Sequence, residues 1–191
     1  MTPEQRHPPS LDTTDASSGE VPPKRLTAAQ ADAIEEFKAL RGVEPFGPFV
    51  DLLVSPELLN RVSSLGEYLR FRSALPPRLS ELAILVTAAC WHQVFEWEVH
   101  APIALAAGLS QETMDAVWAH VRPTHLEADE QVVYDLCTAL HNDQKVESSL
   151  RARAHQVIGE RATMDAMAIC GYYALLAMIL NSSPRSPIPD P

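Results

Sequence analysis

The chain has 191 residues and a formal net charge of −10. This length predicts one domain with a hydrophobic core of its own. The acidic charge argues against general nucleic-acid binding, which needs a basic surface, and disfavours docking to anionic membranes. The three cysteines, Cys90, Cys137 and Cys170, have neither redox nor zinc spacing. We therefore expect buried, reduced thiols and a cytoplasmic location.

Both ends of the chain are rich in proline and polar residues. Residues 1–24 hold five prolines among serine, threonine and acidic side chains, and residues 183–191 hold four. Such segments can bury little apolar area, so we predict a disordered tail at each end. The domain itself is predicted to span residues 25–182.

Between the tails the pattern predicts helices and no strands. Thr27 and Gln30 form a capping-box pattern, and Gly42 can end the helix that they begin. Ser55 followed by Pro56 predicts an N-cap and the first position of a helix that continues to about residue 73.

Two consecutive helices follow Pro76 and Pro77. The first carries Glu81, and the second carries His100 and ends at Gly108, where a left-handed backbone is easily adopted. Pro102, inside the second helix, should bend it or remove one backbone hydrogen bond. We expect the two helices to pack as an antiparallel hairpin at the centre of the fold.

Four more helices are predicted after this hairpin. They cover residues 110–121, 128–141, 148–158 and 163–181. The last is apolar nearly all round, which is typical of a helix in a core or a subunit interface. Its apolar run, residues 166–180, is shorter than a bilayer span. The predicted fold class is therefore all-α, without a membrane-spanning helix.

The hairpin places two carboxylic acids and an imidazole in apolar sequence. Glu96 and His100 are four residues apart, so they share one helical face, while Glu81 lies on the preceding helix. Buried groups of this kind cost free energy unless they pair or hydrogen-bond. A structural hydrogen-bond cluster satisfies that requirement. A proton-transfer site satisfies it equally well, because an imidazole beside a carboxylate is suited to general acid–base catalysis.

Further residues near the hairpin are candidates for substrate binding: Arg70, Arg78, Trp91, His92, Trp97 and Tyr173. A guanidinium can hold a substrate carboxylate through a bidentate fork, and aromatic rings can wall an apolar pocket. His92, Glu96 and His100 also have a four-and-four spacing, which would form a metal-binding stripe on an unbroken helix. We expect no metal.

The same stretch resembles the carboxymuconolactone decarboxylase and alkylhydroperoxidase-D-like superfamily. Its peroxidase members have a Glu, eleven residues, a Cys-x-x-Cys pair, three residues and a His. Glu81 and His100 match the two ends of that pattern, and Gln93 and Glu96 occupy the cysteine positions. The resemblance covers roughly residues 40–181. It implies an alkylhydroperoxidase-D-like helical bundle built around the central hairpin, assembled as a homo-oligomer, either a trimer or a hexamer.

This resemblance also implies a reaction. Without the cysteine pair, a surviving relay of Glu81, Glu96 and His100 favours cofactor-free acid–base chemistry on a small-molecule substrate. The expected enzyme is a lyase-like protein that decarboxylates or isomerises a small carboxylated ring or lactone. One alternative is a non-catalytic binding or scaffold protein on the same fold, and another is residual peroxiredoxin-type alkylhydroperoxidase activity.

Overall fold

The computed structural model describes residues 26–183 and contains nine α-helices in that range. The predicted tail 1–24 and all but one residue of the predicted tail 183–191 lie outside the described residues. The helices are α1 (Ala28–Arg41), α2 (Pro48–Leu52), α3 (Pro56–Phe71), α4 (Pro77–Cys90), α5 (Val94–Ala106), α6 (Gln111–Trp118), α7 (Ala128–Asn142), α8 (Ser148–Ile158) and α9 (Glu160–Ser182). The described part of the chain has no strand, so the all-α prediction is confirmed.

Local sequence determines several helix ends. The Thr27 hydroxyl accepts a hydrogen bond from the Gln30 backbone N–H at 3.2 Å, and the Gln30 side chain accepts one from the Thr27 N–H at 2.9 Å. Gly42 ends α1 with φ of 74°, a left-handed conformation that costs glycine little. The Ser110 hydroxyl accepts from the Thr113 N–H at 3.0 Å and begins α6. These three predicted ends are confirmed.

Other boundaries differ from the prediction. The Ser55 side chain makes no capping hydrogen bond, although α3 does begin at Pro56. Helix α6 ends at Trp118 rather than near residue 121, and α9 begins at Glu160, three residues before the predicted start. Helix α2 was not predicted, because five residues are too few to show a helical period.

Helix α4 lies at the centre of the fold. Every residue from 79 to 89 is buried, as expected of a helix that is apolar all round. It packs against α5, α6, α7 and α9, and only residues 91–93 connect it to α5. The predicted central hairpin is therefore α4 and α5.

Helix α9 is longer than predicted. Among residues 26–183 it alone has the length and apolar composition of a membrane-spanning helix, and half of its most apolar window is buried inside the fold. It packs against α2, α3, α4, α7 and α8. Asp165, a buried residue of α9, accepts hydrogen bonds from the Tyr68 hydroxyl at 3.0 Å and from the Ala74 N–H at 2.7 Å. These contacts are typical of a core helix.

Candidate active site

Glu81 and His100 form a buried hydrogen-bonded pair between α4 and α5. The Oε2 atom of Glu81 lies 2.7 Å from Nδ1 of His100, and both side chains are less than a tenth exposed. A carboxylate only accepts hydrogen bonds, so Nδ1 carries the proton of this bond. The neutral imidazole then has its lone pair on Nε2, and Glu81 holds the ring in that tautomer.

Two further groups face Nε2 of His100. The Tyr173 hydroxyl, on α9, lies 3.2 Å away, and its ring meets the imidazole edge to face with centroids 5.1 Å apart. The Oε2 atom of Glu96, one turn before His100 on α5, lies 3.6 Å from Nε2, beyond hydrogen-bonding distance. Nε2 therefore has one hydroxyl partner and one carboxyl group beside it.

Burial determines the protonation of these neighbours. It raises the pKa of Glu96 from 4.5 to about 7, against a smaller opposing effect of the Arg70 charge, while the charge of Glu81 adds to the rise. Burial also raises the pKa of Tyr173 well above its ordinary value, so its hydroxyl stays protonated and donates to Nε2. Near neutral pH Glu96 is thus divided between its acid and its base form.

A small cavity adjoins this cluster. Its volume is about 20 Å³, enough for about one water molecule. The polar part of its wall consists of Arg41, Arg70, Glu96, His100, Tyr172 and Tyr173, and the apolar part includes Phe46, Pro48, Phe49 and Phe95. Two guanidinium groups and a set of aromatic rings therefore line the same cavity as the carboxyl of Glu96.

The wall also contains polar groups without partners. Two groups of the wall, the Tyr172 hydroxyl and Nε of Arg41, are buried without a hydrogen bond of good geometry. Burial raises the pKa of Tyr172 to about 12, although the nearby Arg41 opposes that effect. Nη2 of Arg41 donates to the Ser63 carbonyl at 3.0 Å, and its guanidinium lies 5.0 Å from the Phe49 ring centroid. Unpaired buried polar groups cost free energy, so this wall has unused capacity to bind a polar ligand.

A glycine allows the start of the short helix α2 to approach α5 closely. Gly47 has φ of 51°, and a Cβ at this position would lie 2.5 Å from the Phe95 ring. No other residue type permits both this backbone conformation and this approach. Gly47 therefore sets how closely Phe46, Pro48 and Phe49 cover the cavity.

The predicted site residues do not all meet here. Arg70 and Tyr173 line the cavity with Glu96 and His100. Arg78 instead pairs with Asp129, at 2.8 Å, and with Glu130, which links the start of α4 to the start of α7. Trp97 stacks on Trp118 of α6 with ring centroids 4.7 Å apart.

Trp91 and His92 also lie elsewhere. Both belong to the connection between α4 and α5, and Trp91 lines a second cavity. The predicted stripe of His92, Glu96 and His100 does not form, because α5 begins only at Val94 and His92 has a left-handed φ of 51°. The imidazole of His92 packs on His120 with centroids 5.2 Å apart. The described residues contain no group of three or more side chains placed to hold a metal ion.

The residues at the two cysteine positions of the peroxidase pattern have separate roles. Gln93 caps α5: its Oε1 accepts from the Phe95 N–H at 2.9 Å, and its Nε2 donates to Oδ1 of Asn181 at 2.7 Å. Glu96 points into the cavity. The first cysteine position is thus structural in this chain, and the second supplies a titrating carboxyl.

A model of the carboxymuconolactone decarboxylase family matches residues 56–136. This range contains Glu81, Glu96 and His100 but excludes Arg41 and Tyr173. Comparisons with curated proteins and with solved structures give no significant match. The matched segment forms the central hairpin and the helices around it, so residues 56–136 of this chain are similar to the carboxymuconolactone decarboxylase family.

Proposed function

We propose that this chain is a cofactor-free acid–base enzyme that decarboxylates or isomerises a small carboxylated ring or lactone. The observation that carries the proposal is the buried 2.7 Å hydrogen bond between Glu81 and His100, with Glu96 beside the opposite ring nitrogen. The match to the family model supports this assignment because the three residues lie inside the matched segment. The fold alone would not, since one fold serves many reactions.

Glu96 and His100 have complementary parts in the proposed chemistry. Because the pKa of Glu96 is about 7, this carboxyl can donate a proton in its acid form and accept one in its base form at working pH. In a decarboxylation, the carbon–carbon bond to the departing carboxylate breaks, CO₂ leaves, and the carbon left with the electron pair receives a proton from Glu96. In an isomerisation, Glu96 or Nε2 of His100 removes a proton from one carbon and returns it to another.

Arg41 and Arg70 would favour the binding of an anionic substrate. Both guanidiniums border the cavity, and each can form charge-assisted hydrogen bonds with a carboxylate or an enolate oxygen. The Tyr172 hydroxyl, unpaired in the described structure, supplies a further donor. Positive groups beside a partly ionised Glu96 also stabilise negative charge that develops during proton transfer.

The cavity must open for this reaction. A volume of about 20 Å³ holds about one water, and a carboxylated ring is many times larger. The covering segment of Phe46, Pro48 and Phe49 includes a short helix with few residues to stabilise it, which makes it the part of the wall that we expect to move. Closure over a bound substrate would then exclude water from Glu96.

We also propose that the protein is cytoplasmic and that its partner is a small-molecule substrate. The proposed assembly is a homo-oligomer, either a trimer or a hexamer. Three large apolar side chains of α9, Met164, Leu175 and Met178, are exposed in the single chain. Exposed apolar residues along the helix that also lines the site support an assembly in which α9 lies at a subunit contact.

The test is a panel of carboxylated lactones and small cyclic acids, assayed for CO₂ release and for exchange of carbon-bound hydrogen in heavy water. We expect turnover by the native chain and a loss of roughly two orders of magnitude or more in His100→Gln and Glu96→Gln. His125→Gln is the matched control, since His125 is an exposed histidine away from the cavity. Its activity should equal that of the native chain.

The same measurements separate the alternatives. If no member of the panel reacts or exchanges, and His100→Gln changes only the free energy of unfolding, the protein is a binding or scaffold protein on this fold. Residual alkylhydroperoxidase activity would instead appear as continuous consumption of hydroperoxide with a dithiol reductant. We expect background rates there, because Gln93 and Glu96 cannot form a disulfide.

A further inference from the structure

Helices α5 and α9 carry the groups that meet at Nε2 of His100, yet they do not pack extensively against each other. Helix α9 packs against α2, α3, α4, α7 and α8, and α5 packs mainly against α4. The hydroxyl of Tyr173 on α9 nevertheless lies 3.2 Å from Nε2 of His100 on α5. Side-chain contacts between the two helices therefore have to hold them in register.

One such contact is a chain of two amide side chains. Oε1 of Gln93 accepts a hydrogen bond from the Phe95 N–H at 2.9 Å, and Nε2 of Gln93 donates to Oδ1 of Asn181 at 2.7 Å. Asn181 lies in the last turn of α9, and its Nδ2 donates to the Trp91 carbonyl at 3.0 Å. We call Gln93 and Asn181 the amide clamp. It connects the end of α9 to the start of α5.

The two ends of this chain of hydrogen bonds determine how both amides are oriented. A backbone N–H only donates and a backbone carbonyl only accepts, so Gln93 turns its oxygen towards Phe95 and Asn181 turns its nitrogen towards Trp91. The nitrogen of Gln93 and the oxygen of Asn181 then face each other as donor and acceptor. Rotating either amide by half a turn would set like groups against each other, so the clamp has one fully hydrogen-bonded arrangement.

The clamp and the contact of Tyr173 with His100 act at two points along the same pair of helices. Gln93 precedes His100 by seven residues, or about 10 Å of helix. Tyr173 precedes Asn181 by eight residues, or about 12 Å. The two helices are thus connected in antiparallel order at nearly equal spacing. A shift of α5 by one helical turn, about 5.4 Å, would break both contacts.

The clamp lies directly before the residues of α5 that face the cavity. Phe95, whose N–H the clamp holds, lines the cavity together with Glu96. Gln93 is only 4% exposed, so water has little access to its Nε2. Without Asn181, a buried donor at the start of α5 would lose its partner, which favours movement of this helix end towards water.

We propose that Asn181 is a positioning residue of the candidate active site, which acts through Gln93 to hold the start of α5 against α9. The clamp keeps Glu96 buried and keeps His100 in contact with Tyr173. Asn181 itself does not line the cavity, so its effect on the site passes through α5. The effect on turnover rests on the proposed acid–base function, whereas the effect on the geometry of the site does not.

The test replaces Asn181 with leucine, which is similar in size and forms no side-chain hydrogen bond. Asn181 is exposed at the end of α9, so the variant should fold. We expect the Phe95 amide hydrogen to exchange about tenfold faster or more, because the start of α5 opens more often. The pKa of Glu96, measured by carbon NMR of its carboxyl, should fall from about 7 towards 4.5 as water reaches it. With a substrate that reacts, kcat should fall by about tenfold or more.

Ser182→Ala is the matched control. Ser182 is the next residue of α9, and its hydroxyl donates to the Ile179 carbonyl of the same helix at 2.9 Å. This variant loses a hydrogen bond at the end of α9 but none to α5, so its exchange at Phe95 and its titration of Glu96 should equal those of the native chain.

Two results would overturn the proposal. One is native-like exchange at Phe95 or native-like titration of Glu96 in Asn181→Leu, and the other is an equal change in Ser182→Ala. Neither measurement needs a substrate. A failure of the acid–base function would therefore appear as absent turnover in the native chain, while exchange and titration still decide the role of Asn181.

Discussion

The pairing of Glu81 with His100 makes a sharp prediction about folding energetics. Glu81→Met and His100→Leu each remove one partner and replace it with an apolar side chain that forms no hydrogen bond. Each single change leaves a buried polar group unsatisfied, which costs about 1–3 kcal/mol, and more where the stranded group is charged. Both side chains are less than a tenth exposed, so water cannot replace the missing partner.

The double variant should behave differently from the sum of the two. With both partners apolar, neither Glu81 nor His100 is left without the other. The Tyr173 hydroxyl loses its partner both in His100→Leu and in the double variant, so its cost cancels in the comparison. We therefore expect the double variant to be more stable than additivity predicts by about 1.5–3 kcal/mol, the usual size of a hydrogen bond to a charged group.

Urea unfolding of the native chain and the three variants measures this coupling. The exposed pair Glu57 and Arg61, with an atom separation of 3.5 Å and side chains more than three-quarters exposed, is the matched control, and its cycle should show a coupling near zero. Additivity of Glu81→Met and His100→Leu to within about 0.5 kcal/mol would refute the pairing, and with it the proposed role of His100.

The remaining predictions concern titration, packing and assembly. Burial raises the pKa of Glu96 from 4.5 to about 7, so the folded state binds more protons than the unfolded state and stability should fall as pH rises from about 4.5 to 7. The free energy of unfolding should fall by at most about 3 kcal/mol, at 1.36 kcal/mol per pKa unit. The Glu96→Gln variant, unfolded at pH 5 and at pH 8, should not show this fall. Gly66→Ala should destabilise the fold, because its Cβ would lie 2.0 Å from the buried Tyr172 hydroxyl. Gly171→Ala, another helical position, meets nothing within 4 Å and should stabilise by roughly 0.5–1 kcal/mol in thermal unfolding. Light scattering at micromolar concentration should give about three or six times the 21.0 kDa chain mass, and a monomer would contradict the assembly.

The features of the fold that were predictable from sequence depend on local chemistry. The capping box of Thr27 and Gln30 and the left-handed Gly42 need only neighbouring residues, and both are present in the structure. The pairing of Glu81 with His100 was predictable because a single short connection joins their helices. Helix α2 was not, since its five residues are positioned by packing against α3 and α9 rather than by their own helical preference.

The candidate site was less predictable than the hairpin. Arg41 lies on α1, and its place beside Tyr172 depends on how α1, α3 and α9 pack, which no local pattern reports. Its only sequence signal is a basic residue at a helix end, which is common for reasons unrelated to function.

The candidate site combines residues inside the segment that the family model matches with residues outside it. The segment matched by the family model, residues 56–136, contains Glu81, Glu96 and His100, the groups that we propose transfer protons. Arg41, the covering segment with Phe46 and Phe49, and the α9 tyrosines lie outside it. Proton transfer needs a base that is held in place, and the hairpin provides this through the 2.7 Å hydrogen bond between Glu81 and His100. Substrate choice needs a wall whose shape and charge match one molecule, and that wall combines residues of α1, α2 and α9 with Arg70 of α3 and Phe95 of α5. Variants of Arg41 and of the α2 segment should therefore change the preferred substrate before they change the chemistry.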